Sequence, residues 1–175
     1  ALAQACREIR IHGQSKRYTH TRVGVGGRMD TLQCAIVLAK LERFDWEVQQ
    51  RLAIGDRYQD LLAGLPVQRL AVRGDRDCIW AQFTLQVDDR EAVIARLNAA
   101  GVPTAIHYPK PLHLQPAYAN CCRVPAPLPH AEAAARRVLS LPMSADLQPA
   151  QQNEVVAVLR SALAAQGWCR ATLLA

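Results

Sequence analysis

The chain has 175 residues, half of them apolar and 21% charged, with a formal net charge of +6. A chain of this length can form one hydrophobic core, and it contains no apolar run of about 18 residues that would span a membrane. The first ten residues contain no basic segment followed by an apolar block, so no secretory signal is indicated and we expect a cytoplasmic protein.

The first third of the chain is predicted to be helical, with one polar interruption. Apolar residues at helical spacing indicate the end of a helix within residues 1–11, and a polar loop follows over residues 13–27. From Met29 the helical period continues to a stop at residues 64–66, with a bend expected near residues 44–45. One apolar stripe of this section is formed by Val48, Leu52, Gly55 and Leu62.

The remainder of the chain is predicted to alternate strands with helices. Residues 79–87 alternate apolar and polar side chains, which is typical of a half-buried strand. The aspartates at 88–89 are expected to cap a helix that ends at Gly101, and residues 104–108 are expected to return as a strand. After a proline-rich loop over 109–129 we expect a helix at 131–138, a strand at 139–141, and a last helix that begins near Pro149 and ends before Gly167.

The basic charge favours an anionic partner, because guanidinium groups bind phosphate and carboxylate through a planar fork of donors. The charge is spread along the chain and aromatic residues make up 5%, so nucleic-acid binding is not indicated. The six cysteines include no C-x-x-C pair, and we expect reduced thiols and no metal site. The neighbours Cys121 and Cys122 are also expected to stay unbridged, because a disulfide between them would be strained.

A glycine-rich turn precedes the helix predicted from Met29. Residues 12–18 read H-G-Q-S-K-R-Y, and residues 24–30 read G-V-G-G-R-M-D. Free backbone N–H groups in such a turn, together with the N-terminus of a helix, can hold a phosphate. On its own, however, a glycine turn before a helix is more often a plain reversal of the chain, and that alternative stays open.

A second motif, H-Y-P-K-P-L-H at residues 107–113, lies at the C-terminal end of the strand predicted at 104–108. Ligands often bind at this end of strands in α/β proteins. His107 and Tyr108 could both donate hydrogen bonds to an anionic ligand. The alternative is that one of them packs inward and the other faces solvent, because successive residues of a strand point in opposite directions.

Four motifs in this order make the chain resemble one family. The motifs are similar to those of the DegT/DnrJ/EryC1/StrS nucleotide-sugar aminotransferases. They are H-G-Q-x-x-R-Y from His12, G-x-x-G-R-M-D-x-L-Q from Gly24, H-Y-P-x-P-L-H from His107 and L-S-L-P-M from Leu139. The resemblance covers residues 3–164. It is greatest to bacterial enzymes that aminate a UDP-linked 3-keto N-acetylhexosaminuronic acid during the synthesis of O-antigen, lipopolysaccharide or capsule.

The resemblance implies an α/β architecture, the C-terminal part of a type I (aspartate aminotransferase-like) fold that binds pyridoxal 5'-phosphate (PLP). Residues 1–45 would end the large PLP-binding domain, residues 46–66 would form an interdomain helix, residues 67–166 the small C-terminal α+β domain, and residues 167–175 a tail. A homodimer with active sites at the subunit interface is also implied, with PLP as cofactor and with a UDP-sugar and glutamate as substrates.

The same likeness assigns roles to individual residues. Arg28, His107 and Tyr108 would hold the carboxylate of the uronic acid, with Arg28 reaching into the partner's site. The loop over residues 20–27 would border the PLP phosphate of the partner. Gly26 stands where relatives usually carry an asparagine that contacts this phosphate, so only its backbone N–H would remain for the contact.

The lysine that carries PLP in the family lies N-terminal to the matched region. The lysines of this chain are Lys16, Lys40 and Lys110, and none occupies a position at which the family has its catalytic lysine. We therefore expect no catalytic residue in this chain and no activity from the chain alone. The other interpretation is a non-catalytic module for nucleotide-sugar binding or dimerisation.

Overall fold

The computed structural model describes residues 1–118, 120–121, 123–124 and 126–172, and for residues 166–172 the backbone alone. It divides into two compact units, Ala1–Asp45 and Trp46–Ala175. Cys6, Cys34, Cys78 and Cys121 are free thiols. The expectation for Cys122 lies outside the described residues.

The first unit consists of two helices and a short hairpin. Helix α1 spans Leu2–Ile9, strands β1 (Gln14–Lys16) and β2 (Thr19–His20) pair antiparallel, and helix α2 spans Thr31–Leu41. The hairpin lies within the segment predicted to be a loop. Its strands are only two or three residues long, too short for an alternation of apolar and polar side chains to mark them.

Helix α2 begins at Asp30, whose Oδ1 accepts a hydrogen bond from the backbone N–H of Gln33 at 2.8 Å. This cap satisfies one of the free N–H groups of the first turn. No residue of the helix is buried, and Leu32 keeps 78% of its surface exposed. The apolar residues that predicted the helix are therefore uncovered within this chain.

The second unit is an antiparallel sheet with helices against it. Its strands β3 (Gln68–Arg69), β4 (Phe83–Gln86) and β5 (Val138–Leu141) lie in the order β3-β4-β5. The α-helices are α3 (Phe44–Leu61), which begins just before the unit boundary, α4 (Arg90–Ala99), α5 (Pro129–Arg137) and α6 (Pro149–Thr172), and short 3-10 turns lie at Leu112–Leu114 and Pro116–Tyr118.

One face of the sheet forms the core of this unit. Phe83 and Leu85 of β4 are buried beside Leu139 and Leu141 of β5. Helices α3, α4 and α6 cover them with Tyr58, Val93, Leu97, Val155 and Leu159, all buried. Leu62, just after the end of α3, is buried with them. Of the stripe predicted over Val48, Leu52, Gly55 and Leu62, the first two residues are half-buried and the last two are buried. The bend is confirmed, because α2 ends at Leu41 and α3 begins at Phe44.

The strand predicted over residues 79–87 is wrong in its first half. Only Phe83–Gln86 are paired, and Trp80 has a φ of 49°, in the left-handed region. This conformation reverses the expected alternation, so Trp80 is 4% exposed and packs on Phe83 with ring centroids 4.7 Å apart, whereas Ile79 is 51% exposed. A residue with positive φ leaves no signature in an apolar-polar pattern.

Three other local features also differ from the sequence predictions. The strand expected at 104–108 reduces to a single bridge between Ala105 and Ser140, since the prolines at 103 and 109 offer no N–H group to a ladder. Asp89 has a left-handed φ of 48° and its side chain makes no capping hydrogen bond. Helix α6 continues to Thr172 through Gly167, because one glycine weakens a helix without ending it.

Over the described parts of the chain, none of the helices is both long enough and apolar enough to cross a membrane. The same parts contain no group of three or more His, Cys, Asp or Glu side chains suited to a metal ion.

Candidate functional site

His107 is positioned by its connection to strand β5. Ala105 and Ser140 exchange two backbone hydrogen bonds, of 2.8 and 3.2 Å, which fix the chain two residues before His107. The imidazole Nδ1 of His107 then lies 3.1 Å from the hydroxyl oxygen of Ser140. With Nδ1 occupied, Nε2 is the polar atom of the half-buried ring that remains for a ligand.

Tyr108 follows through a cis peptide bond and keeps 71% of its surface exposed. The pair thus shows the inward and outward arrangement that strand alternation predicts. Even so, the two rings are close, with centroids 5.6 Å apart and planes at 86°. Both residues line one cavity, so inward packing of His107 and contact with a shared ligand are compatible.

This cavity of about 500 Å³ lies between the 107–113 loop and helix α5. Its polar lining residues are His107, Tyr108, Lys110 and His113. Its apolar lining residues are Pro111, Leu112, Leu128, Ala131, Ala134, Ala135 and Val138. Donors beside an apolar wall suit an anionic ligand that also presents a non-polar surface.

The loop is tied to α5 by His113, whose Nε2 lies 3.4 Å from Oε1 of Glu132. The His113 side chain is 11% exposed. Because Glu132 belongs to the first turn of α5, this contact joins the far end of the H-Y-P-K-P-L-H motif to the opposite wall of the cavity.

Arg28, the third residue of the predicted carboxylate site, belongs to the first unit. A cavity of about 340 Å³ there is lined by His12, Gly26, Arg28, Met29, Asp30 and Thr31. The side chain of Arg28 is exposed and makes no hydrogen bond or ion pair with any described residue. Its guanidinium therefore has all its donors available for an anion.

The glycine turn before α2 is shaped first by close packing of the chain. Gly13 has a φ of 78°, and a Cβ there would lie 1.8 Å from the carbonyl oxygen of Arg22. A Cβ on Gly24 would lie 2.2 Å from the backbone nitrogen of Gly13. The plain reversal of the chain, left open above, thus accounts for these two glycines.

Glu8 fastens this turn to helix α1. Its carboxylate accepts hydrogen bonds from Nε2 of Gln4 at 3.0 Å and from Nε of Arg22 at 2.8 Å, and its carbonyl accepts the N–H of Gly13 at 2.8 Å. The hydrogen bonds from Gln4 and Arg22 lower the pKa of the Glu8 carboxyl below its ordinary value.

Gly26 differs from the other two glycines because it is exposed and its surroundings are open. A Cβ would approach only the His12 ring, at 3.2 Å from Cε1, and the N–H of Gly26 makes no hydrogen bond with the described residues. This backbone N–H group can donate one hydrogen bond to a phosphate. Lys16, Lys40 and Lys110 are all exposed, and Lys110 lines the cavity beside His107 and Tyr108.

Sequence reasoning overlooked two residues of this region, Ser140 and Thr84, whose hydroxyl oxygens lie 2.8 Å apart. The sequence feature that could have identified Ser140 is its place in the L-S-L-P-M motif, where a hydroxyl residue stands between two leucines of a buried strand.

Most of the chain matches known proteins. Residues 1–160 match the sequence model of the DegT/DnrJ/EryC1/StrS aminotransferase family. The chain is 44% identical over 158 residues to the UDP-2-acetamido-2-deoxy-3-oxo-D-glucuronate aminotransferase of Pseudomonas aeruginosa, across 90% of this chain and 43% of that protein. The chain thus spans less than half the length of this curated relative.

Two solved structures have the same fold. One is a DegT DnrJ EryC1 StrS aminotransferase from Brucella abortus, with a TM-score of 0.87 and 35% identity, which covers 93% of this chain and 43% of that one. The other is DesV of S. venezuelae in complex with a ketimine intermediate, with a TM-score of 0.86 and 35% identity over 91% of this chain and 43% of that one.

Proposed function

Because this chain belongs to the DegT/DnrJ/EryC1/StrS aminotransferase family, we propose that it is the C-terminal portion of a PLP-dependent nucleotide-sugar aminotransferase. The enzyme transfers an amino group from glutamate to the keto carbon of a UDP-linked sugar acid, in the synthesis of a bacterial surface polysaccharide such as O-antigen or lipopolysaccharide. The observation that carries this proposal is the pair of His107 and Tyr108 at one cavity, with Nδ1 of His107 already occupied.

The pair serves as the carboxylate-binding edge of the substrate site. Nε2 of His107 and the hydroxyl of Tyr108 both donate to the sugar carboxylate. A hydrogen bond to a charged group contributes about 1.5–3 kcal/mol, which corresponds to roughly 10- to 150-fold in affinity. The name of the Pseudomonas aeruginosa relative, a glucuronate aminotransferase, supports a carboxylate at this place in the substrate.

Arg28 completes the carboxylate site from the partner subunit of a homodimer. Its guanidinium makes no hydrogen bond or ion pair with the described residues, as expected of a side chain that acts outside its own unit. A planar guanidinium binds a carboxylate with two parallel hydrogen bonds, which fixes orientation as well as charge. This clamp would fix the orientation of the sugar acid.

PLP, when bound, supplies the electron sink that makes amino transfer feasible. From this chain, the loop over residues 20–27 borders the phosphate of the partner's cofactor, with the N–H of Gly26 as the donor. The lysine that carries PLP lies outside these 175 residues. We therefore propose that the chain alone has no transaminase activity.

The proposal includes the domain organisation and the location. Residues 1–45 end the large PLP-binding domain, residues 46–66 form the interdomain helix, residues 67–166 the small domain, and residues 167–175 a tail. The enzyme works in the cytoplasm.

The exposed apolar side chains of α2 favour a second candidate function. A helix with no buried residue suits a surface that another polypeptide covers. In this alternative the chain is a non-catalytic module for nucleotide-sugar binding or dimerisation. It predicts binding of a UDP-sugar without any contribution to amino transfer.

A chimera separates the two functions. Residues 1–160 of this chain replace the matching segment of the Pseudomonas aeruginosa relative, and the aminated sugar is measured by mass spectrometry with glutamate as donor. We expect glutamate-dependent product from the chimera and none from the 175-residue chain alone. The matched control is the same chimera with its PLP-binding lysine changed to alanine. A chimera that folds and binds PLP, yet forms no product, would support the non-catalytic module.

A further inference from the structure

A row of hydroxyl groups leads across the sheet to His107. Thr84 of β4 and Ser140 of β5 are direct partners in the antiparallel ladder. Their neighbours Phe83, Leu85, Leu139 and Leu141 point into the core, so Thr84 and Ser140 both point to the opposite face of the sheet. The hydroxyl oxygens lie 2.8 Å apart, and that of Ser140 lies 3.1 Å from Nδ1 of His107.

Burial requires that the hydroxyl in the middle of this row be hydrogen-bonded. Ser140 is 4% exposed, and a buried hydroxyl without a partner costs about 1–3 kcal/mol. The Ser140 hydroxyl can donate one hydrogen bond and accept two. Two patterns satisfy it: either Thr84 donates to Ser140 and Ser140 donates to Nδ1 of His107, or Nδ1–H of His107 donates to Ser140 and Ser140 donates to the half-buried Thr84.

The two patterns differ in what His107 presents to a ligand. A neutral imidazole has one N–H donor and one lone-pair acceptor. If Nδ1 accepts from Ser140, the hydrogen is on Nε2, and Nε2 can donate to a carboxylate. With the hydrogen on Nδ1 instead, Nε2 would present a lone pair that repels the negative oxygen.

We propose that Ser140 and Thr84 are positioning residues that hold His107 as the Nε2–H tautomer, ready to donate to the substrate carboxylate. The inference rests on the proposed function for the identity of the ligand, and it gives the serine of the L-S-L-P-M motif a role. Ser140 acts directly on the ring, and Thr84 acts through Ser140. Neither hydroxyl touches the ligand.

The tautomer can be measured on the unaltered 175-residue chain. Long-range ¹H–¹⁵N correlation spectra of uniformly ¹⁵N-labelled protein show which imidazole nitrogen carries the hydrogen, at a pH about two units above the ordinary histidine value of about 6.5. The His107→Gln variant assigns the signals among the five histidines. We expect His107 entirely in the Nε2–H form and the exposed His130 as a mixture. The Nδ1–H form at His107 would overturn the proposal.

Variants test the hydroxyls. We expect Ser140→Ala to give His107 a mixed tautomer signal like that of His130, and Ser140→Thr, which keeps a hydroxyl, to restore the Nε2–H form. Thr84→Val should have a smaller effect, because Ser140 can still donate. A folded Ser140→Ala chain with an unchanged tautomer contradicts the inference, and if this variant does not fold, the measurement on the unaltered chain decides.

A binding measurement separates this inference from the proposed function. We expect Ser140→Ala to weaken binding of UDP-glucuronate in proportion to the fraction of His107 that leaves the Nε2–H form, about 2-fold for an equal mixture, and binding of UDP-glucose to stay unchanged. An unaltered chain that shows no preference for the acid sugar would overturn the proposed function and leave the tautomer result standing. A fixed tautomer with unchanged UDP-glucuronate binding in Ser140→Ala would overturn the positioning role.

Discussion

Gly55 of helix α3 lies directly against the indole of Trp80, so that a Cβ at this position would be 2.0 Å from Cδ1 of the ring. Alanine is the better helix former by about 1 kcal/mol. Gly55→Ala should nevertheless destabilise the second unit, because overpacking of a core costs about 1–3 kcal/mol and the indole of Trp80 also packs on Phe83.

Urea unfolding followed by tryptophan fluorescence measures this effect. Gln49→Ala, at an exposed position of the same helix, is the matched control and should change the midpoint little. A Gly55→Ala chain as stable as the Gln49→Ala control would show that the indole moves aside without cost.

Tyr58 makes the stability of the second unit depend on alkaline pH. Its ring is fully buried, its hydroxyl donates to the carbonyl of Pro142 at 3.0 Å, and burial raises the pKa of the phenol above the ordinary value of 10.0. Since the folded state binds this proton more tightly than the unfolded state, the stability is fully present below pH 10 and falls as the pH rises further.

We expect Tyr58→Phe to remove most of this alkaline dependence and to cost about 1 kcal/mol at neutral pH through the lost hydrogen bond. Tyr118→Phe, at an exposed tyrosine, is the control and should keep the dependence. The measurement is the free energy of unfolding in urea at neutral pH and above pH 10. Equal alkaline losses in the two variants would contradict a role for Tyr58.

Much of the fold was predictable because it follows from side-chain periodicity. The helix predicted to end at Gly101 and the helix predicted to begin near Pro149 are both present, and they bury Val93 and Leu97 and Val155 and Leu159. The family motifs predicted the fold class, and the solved structures confirm the C-terminal part of a DegT-type aminotransferase fold. Periodicity did not reveal the left-handed residue at Trp80 or the hairpin strands, because backbone conformation of single residues leaves no repeating pattern.

The candidate site was predictable in part. Its residue types pointed to His107 and Tyr108, and the motif resemblance pointed to Arg28. The contact of Ser140 with His107 depends on a bridge between Ala105 and Ser140, residues 35 positions apart in the chain, and such pairing cannot be read from either segment alone. Whether these residues bind a carboxylate stays a prediction.

Glu8 should make the glycine turn sensitive to acid. The hydrogen bonds from Gln4 and Arg22 lower the pKa of its carboxyl, so the contribution to stability is present above the ordinary glutamate value and is lost as the pH falls through the lowered folded value. Amide chemical shifts of Gly13 and its neighbours, followed by NMR from neutral to acidic pH, report this loss.

The Glu8→Gln variant should show the perturbed turn already at neutral pH, because the charge that Arg22 contacts is gone. Glu42→Gln, at an exposed glutamate of the same unit, is the control and should leave the turn signals unchanged. Turn signals that respond to acid in the same way with glutamine at position 8 would contradict this account.

Arg28 should matter for the substrate and not for folding. In the chimera we expect Arg28→Ala to raise the KM for the 3-oxo-glucuronate substrate at least 10-fold, as a lost ion-paired hydrogen bond predicts, with a melting temperature close to that of the parent chimera. Arg7→Ala, at an exposed arginine of α1, is the matched control. A melting temperature that falls strongly, or a KM unchanged relative to this control, would assign Arg28 another role.

The central claim, that His107 and Tyr108 form a carboxylate-binding edge, is tested most directly by titrating the 175-residue chain with UDP-glucuronate and with UDP-glucose. These ligands differ only in the carboxylate that replaces a hydroxymethyl group. The account predicts NMR shift changes centred on residues 107–113 with UDP-glucuronate, at least 10-fold weaker binding of UDP-glucose, and loss of the preference in His107→Phe. Equal binding of the two sugars, or shift changes that leave residues 107–113 untouched, would contradict it.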